Sequence, residues 1–110
     1  MISYARLIAA VCLLLAACEH VVGFDYRVVS KDPKVSSAQI LRVVTDALDR
    51  AEARAWAQVD EKTGEITFSL GVFGKGKPPS IRNAETRLLG ALRYEFGDQV
   101  EVFCNGEPLR

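Results

Sequence analysis

The run Glu65-Ile66-Thr67-Phe68-Ser69-Leu70-Gly71-Val72 places Ile66, Phe68, Leu70 and Val72 at alternate positions, with no break over eight residues. A period of two means a strand with one apolar and one wet face, because successive side chains leave opposite sides of the pleat. Such a strand needs partners at its edges and a second layer over its apolar face. Two helical stripes are available as that layer. Ile40, Val43, Val44, Ala47, Leu48 and Ala51 recur at helical spacing, predicting a helix from about Ser37 to Ala53 with Ser36 or Ser37 as N-cap. Arg42, Asp46, Asp49, Arg50 and Glu52 occupy its other face. Ile81, Ala84, Leu88, Leu89, Leu92 and Phe96 mark a second helix, capped by Ser80 or Asn83 and closed by Gly97.

Three further runs read as strands: Phe24 to Val29, Trp56 to Val59, and Val100 to Cys104. The stretch Asp60 to Gly64, with glycine at a positive-φ position, joins the Trp56 run to the Glu65 run as a hairpin. The order is then strand, helix, strand, strand, helix, strand. That is the split βαβ, ferredoxin-like arrangement: an α+β, two-layer domain with both helices on one face of a four-stranded antiparallel sheet. The alternative is a first helix that runs on through Trp56, giving strand, helix, strand, helix, strand. Both orders are α+β.

The chain has 110 residues, of which 49% are hydrophobic and 25% charged, enough for one ordered domain. Leu7 to Ala17 is an unbroken apolar run after the single charge of Arg6, and Glu19 ends it. A bilayer-spanning helix needs about 20 apolar residues, so the run suits the core of an export signal better than a permanent span. Leu15-Ala16-Ala17-Cys18 then resembles the lipobox of bacterial lipoproteins. The resemblance covers the first eighteen residues. It implies a signal peptide over residues 1–17 and acylation of Cys18; the residue pattern beyond it reads as a short tether over 18–22, a single domain over 23–104 and a polar tail over 105–110. The resemblance also implies residence on an envelope membrane facing the periplasm. Glu19 in the place after the cysteine leans towards the outer membrane. Two or three acyl chains hold such a protein firmly, at about 0.8 kcal/mol per buried CH₂.

Without residues 1–17 the chain keeps 13 basic and 14 acidic side chains. A near-neutral domain lacks the basic excess that nucleic-acid binding demands. Gly71-Val72-Phe73-Gly74-Lys75-Gly76-Lys77 matches a phosphate-binding loop in outline, but Pro78 and Pro79 follow where a hydroxyl and helix N–H groups are needed. No nucleotide is expected. Lys75, Lys77 and Arg82 remain as a basic loop that either meets headgroups or an acidic partner, or is simply solvated. Asp46, Asp49 and Glu52 interleave with Arg42 and Arg50, the pattern of exposed i,i+4 pairs more than of a catalytic dyad. His20, the only histidine, lies in the tether, and no metal or cofactor site is expected. Cys104 shares strand parity with Val100 and Val102, which favours a buried thiol over a cross-link. Trp56, Phe73 and Phe103 fall off the core pattern; they form a partner surface on the open sheet face or are scattered exposed residues.

These readings converge on a non-enzymatic lipoprotein that binds another envelope protein as a small accessory subunit. The alternatives are a periplasmic inhibitor or immunity-type protein, with the Gly74–Pro79 loop as its protruding element, and an unrecognised hydrolase.

Overall fold

The structure is a computed structural model, described here for residues 21–73 and 77–109. Its elements are β1 (Val21–Ser30), α1 (Ser37–Arg50), β2 (Gln58–Val59), β3 (Ile66–Phe73), α2 (Pro79–Phe96), a 3₁₀ turn (Gly97–Gln99), β4 (Val100–Cys104) and β5 (Glu107–Pro108). The strands form one antiparallel sheet in the order β2-β3-β1-β4-β5. Alternation decides which side chains go inward. Phe24, Tyr26 and Val28 of β1, Ile66, Phe68 and Leu70 of β3, and Val102 and Cys104 of β4 are buried. They meet Ile40, Val44, Ala47 and Leu48 of α1 and Ile81, Ala84, Leu88 and Leu92 of α2 in a single core. The domain is therefore α+β, with two helices and five strands.

The long pair β1–β3 is the spine. It runs from Val21↔Phe73 to Val28↔Ile66, whereas β4 pairs with β1 only from Tyr26 to Ser30, and β2 with β3 only at Ile66 and Thr67. Ser36 caps α1 with a full capping box: its hydroxyl accepts from the Gln39 N–H while Gln39 reaches back to the Ser36 N–H. The β2–β3 turn places Gly64 at φ 73°, and its carbonyl accepts from the Ser37 hydroxyl at 2.6 Å. α2 starts at Pro79 behind Pro78, with no side-chain cap from Ser80 or Asn83. A proline fits there because the first helical N–H has no partner in any case.

Three segments differ from the sequence expectation. α1 stops at Arg50, not Ala53, because the chain closes a Schellman turn: the Ala53 N–H donates to the Leu48 carbonyl and the Glu52 N–H to that of Asp49. Glu52 takes the left-handed position, at φ 56°. Beyond it the chain is extended. Ala53, Ala55, Ala57 and Val59 pack on the core while Trp56 points outward, and only Gln58 and Val59 pair as strand. Trp56 thus belongs to neither the helix nor the strand.

The segment expected as a polar tail folds back instead. Asn105 and Gly106, at φ 50° and 83°, make a two-residue turn of the kind that suits strand twist, and Glu107–Pro108 pair with β4. Pro108 stands opposite Phe103, between the Cys104↔Glu107 pair and the bond from the Leu109 N–H to the Val102 carbonyl. Its missing N–H therefore lies on the outer edge, where it blocks further strand pairing.

Candidate functional site

The most built arrangement of polar groups lies inside the core, between β1 and α2. Tyr26 is 2% exposed, and its ring stacks on Phe68 at 4.8 Å between centroids. A buried phenol needs a partner. The Tyr26 hydroxyl donates to Oε2 of Glu85 at 2.6 Å. Glu85 occupies the second turn of α2, on the same face as Ile81 and Leu88, and is itself buried. A buried carboxylate needs a countercharge. Lys77, two residues before α2, turns inward and donates to the same Oε2 at 2.7 Å, its ammonium 5.3 Å from the Phe24 ring centroid.

Each titratable group responds to this enclosure. Burial first, then the bond and charge of Glu85, push the Tyr26 hydroxyl above the ordinary tyrosine range. For Lys77 burial alone pulls the ammonium down, but the Glu85 hydrogen bond and charge more than offset it, and the net shift is upward. Both groups are thereby held protonated, and Glu85 faces two donors. Among the described residues no buried side-chain polar atom lacks a hydrogen-bond partner. Cys104, a free thiol 9% exposed, borders the cluster. A groove of about 370 Å³ beside it is lined by Phe24, Lys77, Cys104, Asn105 and the β5 hairpin. Chemically the triad is closed: its donors and acceptor satisfy one another, and it braces α2 and the segment before it against β1.

The open sheet face has a different character. Gln58, Thr67, Arg27 and Phe103 lie in one row across four strands. The Arg27 guanidinium sits 4.7 Å over the Phe103 ring and 3.6 Å from a Glu65 oxygen. Asp25 accepts from the Ser69 hydroxyl at 2.6 Å. Among the side chains described, this face is a polar mosaic in which the Phe103 ring lies under the Arg27 guanidinium. Trp56 is 91% exposed and shares the outward alternation of Gln58. Phe73 ends β3 in register with Val21.

The remaining expected residues scatter. The Lys77 ammonium, expected in a basic loop, is paired with Glu85, and among the described residues it is the cation that meets this buried carboxylate. Arg82 is exposed on the first turn of α2, and Lys75 lies outside the described residues, as do Cys18 and His20. Asp46 pairs with Arg50 at 3.1 Å on the exposed face of α1, while Asp49 and Glu52 are exposed beside it. Among the described residues no group of three His, Cys, Asp or Glu side chains could hold a metal ion, and no helix is long and apolar enough to cross a membrane.

Glu85 and Tyr26 escaped the sequence reading, although a signal was present. Glu85 sits at the centre of the stripe Ile81, Leu88, Leu92, and Tyr26 falls between Phe24 and Val28 on a core face. An acid and a phenol both placed inward imply each other. Compared with protein-family models, with curated proteins and with solved structures, the chain matches none.

Proposed function

We propose that this chain is a lipid-anchored protein of the bacterial envelope whose small domain is a non-enzymatic binding module held against the bilayer. The observation that carries the reading is a spacing. Cys18 closes Leu15-Ala16-Ala17-Cys18, and β1 begins at Val21. Three extended residues span about 10 Å, so an acylated Cys18 keeps the domain at the membrane surface. The non-enzymatic part is supported by the disposition of the polar groups, with the inner ones satisfying one another and those on the sheet face paired as Arg27–Glu65 and Asp25–Ser69. The partner surface in this reading is the face that carries Trp56 and the Arg27–Phe103 stack. We further read the domain as ferredoxin-like with an added β5. The element order up to β4 and the neighbour order β2-β3-β1-β4 support this.

The test is acylation. The parent chain expressed in a bacterium should pellet with membranes and carry the added mass of acyl chains on a terminus at Cys18. A Cys18→Ser variant should lose that mass and move to the soluble periplasmic fraction. An unmodified thiol at Cys18 of the parent would falsify the reading.

A further inference from the structure

The sheet ends unevenly. Beyond Phe24↔Leu70, the pairs Gly23↔Gly71, Val22↔Val72 and Val21↔Phe73 continue as a ribbon that has no third strand among the described residues, because β4 stops at Cys104 opposite Tyr26 and β2 ends at Gln58 opposite Thr67. An isolated two-stranded ribbon is marginal in water. This one is also without charge: the first ionisable residue of β1 is Asp25, and none occurs in Ile66–Phe73. Of its six residues four are valine or phenylalanine, and Gly23 and Gly71 are exposed, with open space where a Cβ would stand on Gly23. The chain that precedes it leads within three residues to Cys18.

We infer that this ribbon, Val21–Gly23 with Gly71–Phe73, is a membrane-contacting tip that enters the headgroup boundary of the bilayer. The inference rests on the anchored reading above for its occupant, because the acyl chains on Cys18 would fix the lipid surface at this end of the sheet and no other. Apolar residues without charge gain by leaving water at the boundary, and amphipathic elements settle there about 5–10 Å deep. Polar residues, Glu52, Arg54 and Ser80, line the 280 Å³ groove at its base. The opposite end of the domain, at the Asp60–Gly64 turn, would face away from the lipid.

The chain's only tryptophan makes the test direct. Full-length protein is purified from membranes and reconstituted into phosphatidylethanolamine–phosphatidylglycerol vesicles containing lipids with a doxyl group high on the acyl chain. The parent reports from Trp56. A double variant, Trp56→Phe with Phe73→Trp, reports from the tip, and Trp56→Phe with Val22→Trp reports from the other strand should the first fail to fold. Emission from either tip position should be quenched at least about twofold more than that of Trp56 and lie further to the blue. The mass of the same sample records acylation independently. Acylated protein with equal quenching at the tip and at Trp56 overturns the tip while the anchor stands. Unacylated protein whose tip tryptophan is quenched on adding vesicles supports the tip while the anchored reading falls. A blue shift that appears without vesicles and grows with protein concentration assigns the ribbon to a second copy of the chain and overturns the proposal.

Discussion

Replacing Glu85 by alanine probes how closed the buried triad is. The Tyr26 hydroxyl donates to this carboxylate from a residue 2% exposed, and Glu85 is its hydrogen-bond acceptor among the described residues. Stranding it costs about 1–3 kcal/mol, and the lost methylene of Glu85 adds about 0.8 kcal/mol. Lys77 keeps some access to solvent and can swing outward, so its charge adds little. The expected destabilisation is therefore about 2–4 kcal/mol, a large share of what a domain this size has. The sharper quantity is the coupling. Tyr26→Phe in the parent removes a bond to a charged acceptor and costs about 1.5–3 kcal/mol; in the Glu85→Ala background it removes a stranded hydroxyl and costs nothing or stabilises. The double-mutant cycle should then give about 2 kcal/mol or more. Urea unfolding of the four proteins, followed by far-ultraviolet circular dichroism, measures it; the 91% exposed Trp56 is a poor reporter. A coupling below about 0.5 kcal/mol would refute the reasoning, since the hydroxyl must then find water without Glu85.

The same enclosure sets an alkaline limit. The folded chain holds the Tyr26 proton where the unfolded chain releases it, so the contribution is whole below about pH 10 and falls by about 1.4 kcal/mol per pH unit above it. The raised Lys77 acts in the same direction. Tyrosinate absorbance from Tyr26 should appear only as the circular dichroism signal is lost, and its appearance in still-folded protein would count against burial. Glu52→Gly relieves a left-handed residue at the end of α1 and should stabilise by about 0.5–1 kcal/mol in thermal melts; no gain would mean that the Glu52 conformation is unstrained. Gly106→Ala forces a side chain onto φ 83° and should cost about 1 kcal/mol. It should also speed hydrogen exchange at the Leu109 N–H, which is bonded to the Val102 carbonyl; unchanged exchange would show that the turn does not hold β5.

What was legible in the sequence was local. The alternation of Ile66, Phe68 and Leu70, the helical stripe from Ile40 to Leu48, and glycine at positions 64 and 97 each specify backbone geometry through neighbours a few residues away. The end of α1 was not legible, because the left-handed position falls on Glu52 and not on a glycine, and a turn made by an unsuitable residue leaves no compositional mark. The β5 hairpin did leave one, Asn105-Gly106, but Pro108 argues against a strand until its place opposite Phe103 is known. The triad is the hardest case. Tyr26 and Glu85 are 59 residues apart, and Lys77 looks solvated in a glycine- and proline-rich stretch unless the inward carboxylate is noticed first. Trp56 read as off the core pattern, and its exposure follows from the alanines on either side of it taking the inward positions.

The buried charge bears less on how stable the fold is than on which arrangement it permits. An ion pair taken out of water gains little net energy, and well-packed apolar residues often replace one without loss. The constraint is geometric. Both donors converge on one oxygen of Glu85, one from the middle of β1 and one from the segment just before α2. A helix turned by one residue would present Ala84 or Thr86 to Tyr26 and leave a phenol and an ammonium facing apolar surroundings, at a cost of several kcal/mol. That penalty specifies the rotation of α2 against the sheet, where small and apolar residues alone would tolerate neighbouring packings. It acts at a particular level of the fold. Lys77 lies over Phe24, and Phe24↔Leu70 is the pair from which the β1–β3 ribbon departs. The polar triad thus fixes the base of the ribbon at the point where the described sheet narrows to the β1–β3 pair, so the direction in which that pair leaves the core is set by the same contacts that set the rotation of α2.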